Sequence, residues 1–343
     1  MRVAMYYNNE DVRLEEMDKP EIEPGEILMK VHASGICGSD VMFWYRKHKV
    51  PLVLGHEIAG EVVEVGEGVE KYKFGDRVVA THHVPCNTCH YCQMGNETAC
   101  ETLQKHTHFH PGGFAEFVRI PAINVDRGVF QIPEGVSFEE ATFTEPLACV
   151  VRGQKKANLQ PAETVLVVGC GISGIMHINL ASALGAGRII AADTIEYRMK
   201  AAEKFGAEHV LEYDENLPQK VRDVNGGLLA DMVIICRGAF MNEALNSVEK
   251  GGTVLFFAGA KENDTIPLTV NDLFWRTEMT LTSSYAGGPS DCIDALELIR
   301  SGRVNVKNMI THRFPLADAV KGFYLVSHPW ETESIKVIVE PQK

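Results

Sequence analysis

Val165-Leu-Val-Val-Gly169-Cys-Gly171-Ile-Ser-Gly174 is an apolar run followed by G-x-G-x-x-G and a segment of helical character. A lone G-x-G-x-x-G is a weak signal, but here it follows a buried-type strand and opens a helix, which is the context a dinucleotide-binding turn requires. Gly169 permits the tight turn, Gly171 lets a pyrophosphate approach the backbone, and Gly174 lets the helix pack on the strand. Ile172 and Ser173 start the helix, whose unpaired N–H groups and positive dipole end face the phosphates. The stretch from Thr164 to Gly187 carries no charge and is long enough to imitate a membrane span. Its glycines, with Ser173, His177 and Asn179, favour one buried strand–helix unit instead.

Downstream, strands alternate with helices. Strands are expected at 188–192, 209–213, 232–236, 253–257 and 279–283, and helices at 173–184, 196–205, 217–224 and 240–249. That alternation means βαβ units and a doubly wound parallel sheet. Asp193 ends the second strand, 19 residues after Gly174. A carboxylate there accepts the adenosine ribose hydroxyls and repels a 2′-phosphate, so the expected cofactor is NAD rather than NADP. Arg198 lies close enough to blur that preference, with Asp193 the stronger determinant.

Upstream the pattern is different. Short strands at 1–7, 12–17, 26–33, 57–65 and 77–80, punctuated by Gly66, Gly68 and Gly75-Asp76, read as a small β-barrel. In 26–33, Ile27, Met29 and Val31 fall on one face and Leu28, Lys30 and His32 on the other. The tail has helices at 290–301 and 316–328 and a closing strand at 334–340.

The 343 residues suit roughly two domains. Hydrophobic residues make up 45% and charged ones 23%, so disorder is not expected. A net charge of −13 argues against nucleic acid and against anionic membranes as partners. No apolar leader follows Met1, and the nine cysteines are an odd number, so the expectation is a cytoplasmic protein without a disulfide framework.

Four of those cysteines cluster as Cys86-x2-Cys89-x2-Cys92-x7-Cys100. Four thiolates on one short loop form a saturated tetrahedral zinc site with a structural role. An iron–sulfur cluster also uses four thiolates, but this spacing differs from the ferredoxin runs. His90, between the ligands, is a competing donor.

Three further segments carry candidate ligands: Gly35-Ile-Cys37-Gly-Ser39-Asp40, Gly55-His56-Glu57 and Thr144-Glu145-Pro146-Leu147. Singly, each has a bland explanation: a core cysteine, a surface turn, a helix-start acid. Together, Gly55-His56-Glu57-x2-Gly60-x5-Gly66-x2-Val69 and Lys73-Phe-Gly-Asp-Arg-Val78 resemble the signature of the zinc-dependent medium-chain alcohol dehydrogenases. The resemblance covers nearly the whole chain. Cys37-Gly-Ser-Asp and Glu145-Pro-Leu look most like the polyol (sorbitol-like) and threonine dehydrogenase branches.

The resemblance implies a GroES-like β-barrel catalytic domain over 1–153 and 288–343, a Rossmann domain over 154–287, and a cleft between them. It implies two zinc ions per chain and NAD. Cys37 and His56 become catalytic zinc ligands, Glu145 takes the third ligand position, and Glu57 is a ligand or a nearby carboxylate that exchanges with water. Cys149, four residues past Glu145, is the competing third ligand. An open zinc position would lower the pKa of a substrate hydroxyl while hydride passes to the nicotinamide. Ser39 stands where the family accepts the hydroxyl proton. Many relatives carry His three residues later; here Met42 cannot carry a proton, and exit runs through the cofactor ribose, through water, or through His48.

Trp44, Tyr45, Phe109 and Tyr285 fall where the family lines its substrate cleft. The pair His82-His83 and the run His106-Thr-His108-Phe-His110 are expected to be solvated or hydrogen-bonded rather than a third metal site. The pairs Lys155-Lys156 and Arg46-Lys47 are expected to be solvated. The function expected is oxidation of a secondary hydroxyl of a polyol or sugar-derived substrate, by a homodimer or homotetramer. The alternatives are a threonine-type or simple secondary alcohol dehydrogenase, and a non-enzymatic relative that retains only the structural zinc.

Overall fold

Val165 through Val168 are wholly buried in the strand Thr164–Val168, because both faces of this sheet are covered. The structure is a computed structural model that describes residues 1–260, 263–266 and 268–343. The chain forms two compact units, Met1–Cys149 with Ala286–Lys343, and Val150–Tyr285.

The second unit holds a six-stranded parallel sheet. Its order is His209–Glu212, Arg188–Asp193, Thr164–Val168, Ala230–Ile235, Val248–Phe256, Thr280–Ser283. Numbered along the chain this is 3-2-1-4-5-6, so the strand order reverses beside Thr164–Val168, where doubly wound sheets bind their ligands. The helix Ile172–Leu184 follows the first strand and is capped by Gly185 in the left-handed conformation, φ 89°. The uncharged stretch is thus a strand and a helix, and among the described residues no helix is long and apolar enough to cross a membrane.

One element departs from expectation. The helix expected over 240–249 shrinks to a 3-10 turn, Gly238–Phe240, and the short helix Met241–Leu245. Val248 already pairs with Ala230 in the sheet. The Glu249 carboxylate accepts the amides of Leu229 and Lys250 at 3.0 and 3.1 Å, which holds the chain extended there.

The first unit is built on a seven-stranded sheet, Ile310–Pro315, Lys336–Glu340, Ile27–Gly35, Glu57–Val65, Arg77–Ala80 and Val129–Gln131, with Phe117–Ile120 paired to Ile27–Gly35. A three-stranded sheet, Asp11–Glu16, Arg2–Asn8 and Leu52–Val53, packs with it around a shared core. Ile27, Met29 and Val31 face a second core, with Ile58, Val62 and Val118, as the alternation predicts, but Leu28 is also fully buried. The closing strand Lys336–Glu340 pairs with Ile27–Gly35 through Ile338 and Val339, so the tail completes this unit. That pairing brings Lys336 to Ile36 and Glu57, 300 and 279 positions earlier in the chain.

Candidate active site and metal centres

The cysteine loop closes on itself. Short turns, His90–Gln93 and Glu97–Ala99, bend the chain so that one sulfur of each of Cys86, Cys89, Cys92 and Cys100 lies within 4.8 Å of the other three. Cys89 and Cys92 sulfurs are 3.5 Å apart and those of Cys86 and Cys92 4.0 Å. A tetrahedron with zinc–sulfur bonds of about 2.3 Å has sulfur–sulfur edges of about 3.8 Å, so the residues fit the ion. These distances are far too long for disulfides. Donation from Thr88 and the Cys89 amide lowers the Cys86 thiol to about 5, while burial and the neighbouring thiols push Cys92 up to about 12. Four sulfurs this close need a cation before all can ionise. His90 is exposed and packs edge-on to Tyr91, away from the sulfurs.

Cys37 follows the strand Ile27–Gly35, and His56 and Glu57 stand at the start of Glu57–Val65, paired beside it. One donor atom from each of the three lies within 4.8 Å of the others. Asp40 is fully buried behind them. It accepts the Cys37 amide at 3.0 Å and its other oxygen lies 3.5 Å from His56 Nδ1, leaving Nε2 of the ring for a metal. Burial alone would push the His56 imidazole down, but Asp40 and Cys37 overcome it and hold it well above its ordinary value. Arg46 Nη2 approaches Asp40 at 3.8 Å.

Glu57 is buried and bonded to Lys336 Nζ, which also donates to the Ile36 carbonyl at 3.3 Å. Burial raises the Glu57 carboxyl; the ammonium opposes it. Both side chains are 1% exposed. A thiol, an imidazole and a carboxylate form the mixed, unsaturated shell that suits a Lewis-acid zinc rather than a structural one.

Glu145 sits in the first turn of the helix Thr144–Ala157 and is buried, but its carboxylate groups with His82 and His83. His83 Nδ1 lies 3.0 Å from Glu145 Oε1. Burial works against the Glu145 anion, yet the bond from His83 and the charge of His56 bring its carboxyl below the ordinary value. Cys149 is pushed well above its ordinary value by burial and by Glu145, so it stays a thiol and donates to Glu145 at 3.7 Å. Ser39 lies in the turn after Cys37, its carbonyl accepting from the Met42 amide and Arg46 Nε, both at 3.4 Å. His48 is exposed. Phe109 lies 6.2 Å from the His82 ring, and Trp44 is 42% exposed. Tyr285 is exposed and belongs to the second unit. Asp40, Lys336, His82 and His83 are the members that reading the sequence did not select. The residues of Asp40 and His82-His83 sat within quoted motifs; nothing local marked Lys336.

In the second unit Gly169 has φ 95°, the region where glycine alone is unstrained. A Cβ on Gly174 would collide with the Gly169 carbonyl, so both glycines are required by the turn. At Gly171 an added Cβ would meet nothing nearer than the Arg198 guanidinium at 3.6 Å. The backbone there is open to a ligand, with a cation beside it. Asp193 is fully buried and accepts the amides of Cys170 and Thr194 at 2.7 Å and Ile195 at 3.0 Å. A carboxylate has about four acceptor positions, so one remains for a ribose hydroxyl.

Two family models match the chain, Alcohol dehydrogenase GroES-like domain over residues 23–134 and Zinc-binding dehydrogenase over 173–301. Sorbitol dehydrogenase of Bacillus subtilis (strain 168) is 30% identical, covering 100% of this chain and 98% of that protein. Among solved structures, the alcohol dehydrogenase TADH from Thermus sp. ATN1 aligns with a TM-score of 0.83 at 30% identity, over 99% of each chain. A zinc-binding dehydrogenase fold from Sinorhizobium meliloti 1021, solved with NADP bound, aligns at 0.88 and 26% identity, again over 99% of each chain.

Proposed function

We propose, from the premise that this chain belongs to the zinc-binding alcohol dehydrogenase family, that it oxidises a secondary hydroxyl of a polyol or sugar-derived substrate and passes the hydride to NAD+. The observation that carries the reading is the pairing of one saturated sulfur site with one mixed site, Cys37, His56 and Glu57, whose donors leave room for a substrate oxygen. Likeness to sorbitol dehydrogenase over the full chain supports the polyol class.

Cys37 and His56 would hold the catalytic zinc, with Glu145 at the third ligand position and Glu57 as a ligand or a nearby carboxylate that exchanges with water, and Cys86, Cys89, Cys92 and Cys100 would hold the structural one. When bound in the mixed site, zinc supplies Lewis acidity that lowers the pKa of a substrate hydroxyl. Asp40 fixes the His56 ring and its tautomer. Lys336 holds Glu57 and offsets its charge. Ser39 is placed to accept the hydroxyl proton; Met42, three residues on, cannot carry it and His48 is exposed, so onward transfer would fall to water or to the cofactor ribose once bound. Gly169 to Gly174, with Arg198, receive the pyrophosphate, and Asp193 takes the ribose. Its negative charge favours NAD over NADP. Trp44, Phe109 and Tyr285 are assigned to substrate contact.

A cytoplasmic setting belongs to the same proposal, supported by nine cysteines that form no disulfide. So does a homodimer or homotetramer, for which the exposed edge strand Thr280–Ser283 offers a contact.

The test is an NAD+ reduction screen over polyols, sugar phosphates, threonine and simple secondary alcohols. Turnover is expected on polyols with NAD+. Turnover confined to threonine, or a preference for NADP+, would overturn the corresponding part. Ser39→Ala is expected to lower kcat by about a hundredfold or more, in the range of general acid–base contributions; unchanged turnover would remove Ser39 from the relay.

A further inference from the structure

Arg46-Lys47-His48-Lys49 is a run of basic side chains that begins nine residues after Cys37. The expectation that Arg46 and Lys47 are solvated holds for Lys47, which is exposed. The Arg46 side chain is only 15% exposed and turns back onto the Cys37 segment. Its Nε donates to the Ser39 carbonyl at 3.4 Å, and Nη2 stops 3.8 Å from Asp40. A guanidinium carries five donors, and 3.8 Å is beyond hydrogen-bond range. Among the described residues the fork therefore uses one donor, at a long distance. The Lys49 amide donates to the Arg46 carbonyl at 2.8 Å, a turn that brings residue 49 back beside 46. Tyr45 gathers the two cations: its ring centroid lies 4.8 Å from the Arg46 guanidinium carbon and 5.3 Å from Lys49 Nζ.

These cations lack counter-charges. The surface cations Arg13, Lys19, Lys71 and Lys105 each stand within 3.3 Å of a carboxylate. Among the described residues no carboxylate pairs with Lys47 or Lys49. Arg46 has only the buried Asp40, whose nearer oxygen also lies 3.5 Å from His56. A chain of net charge −13 repels anions at large, so unpaired cations gathered at one place make a local field of the opposite sign. Like charges held together repel until an anion joins them. Arg46 is in contact with Ser39, the residue placed to take the proton of the reacting hydroxyl. An anionic group a few carbons from that hydroxyl would meet the guanidinium, whose planar fork of donors matches a carboxylate or a phosphate. A neutral polyol leaves that charge unmatched.

We infer that the substrate carries an anionic group, a carboxylate or a phosphate, and that Arg46 binds it, so that the preferred substrate is a sugar acid or a polyol phosphate rather than a free polyol. The inference rests on the polyol reading proposed above and narrows it. Arg46 and Lys49 belong to the same unit as Cys37, Ser39 and His56. Arg46 is the specificity-determining residue. Lys49, which is exposed, adds to the field that draws the anion in.

Sorbitol, galactitol and mannitol are each compared with their monophosphate and with the matching aldonate, as kcat/KM at saturating NAD+. Within a set that turns over, an anionic member is expected to lead the neutral one by about tenfold to a hundredfold, the range of a hydrogen bond to a charged group. A lead for the aldonate or for the phosphate identifies which anion the fork takes. Arg46→Gln should bring the anionic-to-neutral ratio close to one, chiefly through the KM of the anionic substrate. Lys49→Ala should lower the ratio by roughly two- to fivefold, as an exposed charge does. Where Arg46→Gln does not fold, the unaltered enzyme decides. Raising the salt from about 0.05 M to about 0.5 M should cut kcat/KM severalfold more for the anion than for the neutral polyol. Equal kcat/KM on neutral and anionic members would overturn the inference and leave the polyol reading standing. So would a ratio unmoved by Arg46→Gln, or by salt where that variant does not fold. An Arg46→Gln effect confined to the KM of NAD+ would assign the cation to the cofactor and overturn it as well. Turnover on no polyol, acid or phosphate would remove both.

Discussion

Lys336 shows how much of a site a single distant residue can decide. It reaches Glu57 across 279 positions of sequence, and both groups are almost wholly dehydrated. Removing one member of such a pair leaves an uncompensated charge and costs about 3–5 kcal/mol, whereas removing both is far milder. Lys336→Met is therefore expected to lower the unfolding temperature markedly, and Lys336→Met/Glu57→Gln to recover most of the loss. A thermal unfolding series over the single and double variants checks this; additive losses would mean the pair is not coupled. Asp193 makes the corresponding argument for the cofactor. Its carboxylate anchors three amides of the glycine turn and the chain beyond it. Hydrogen bonds to a charged group are worth about 1.5–3 kcal/mol, so Asp193→Asn should reduce discrimination between NAD+ and NADP+ by about tenfold to a hundredfold, read as the ratio of kcat/KM values. These two residues also mark the limit of the sequence. Asp193 was legible because its distance from the glycine motif is fixed by one βαβ unit. Lys336 was not, because a solvent-exposed lysine and a buried one look the same in sequence until the strand pairing is known.

At the scale of elements, legibility followed locality. The cysteine loop is contained in residues 86–100 and the strand–glycine–helix unit in residues 164–184, and both fold as their spacing dictates. The histidines 82 and 83 were expected to be solvated or hydrogen-bonded; the structure buries His83 and sets its Nδ1 3.0 Å from Glu145, while Asn124 and Thr107 hold the neighbouring backbone. The helix Ile172–Leu184 carries a further titratable group that its apolar neighbours conceal. His177 is fully buried, receives the Gln154 side-chain amide at its ring and carbonyl, and packs edge-on to Phe257. Burial lowers its imidazole from 6.5 to about 3. The folded protein therefore keeps it neutral while the unfolded chain protonates it below pH 6.5. Its stabilisation is complete above that value and is lost progressively as the pH falls toward 3. Between pH 7 and pH 5 the loss is about 2 kcal/mol. Urea unfolding of the full chain at both pH values should show this slope, and His177→Gln, which cannot be protonated, should flatten it. An equal slope in the variant would assign the acid sensitivity to other groups.

For the molecule as a whole, the parallel sheet ends in the strand Thr280–Ser283, which among the described residues is bonded on one side only, to Val248–Phe256. The segment leading to it exposes Val270 at 67%, Phe274 at 45% and Trp275 at 66%, and the strand itself exposes Leu281 at 39%. Apolar side chains of this size beside a free strand edge are a liability in an isolated chain, because the edge offers unsatisfied amides and carbonyls to any strand that meets it. A second copy would meet it in the simplest way: a two-fold axis through the edge would set Thr280–Ser283 antiparallel to its own equivalent, close the ladder, and let the apolar residues of each copy cover those of the other. An interface of ordinary stability hides about 800 Å² on each partner, so surface around these four side chains and the edge strand would have to join the contact. The expected state in dilute solution is a homodimer, measured by light scattering after gel filtration. Leu281→Glu/Trp275→Glu introduces like charges facing each other across the axis and should shift that mass to the monomer while leaving zinc content unchanged, since neither residue belongs to a donor set. A double variant that keeps the native mass would place the contact elsewhere on the surface.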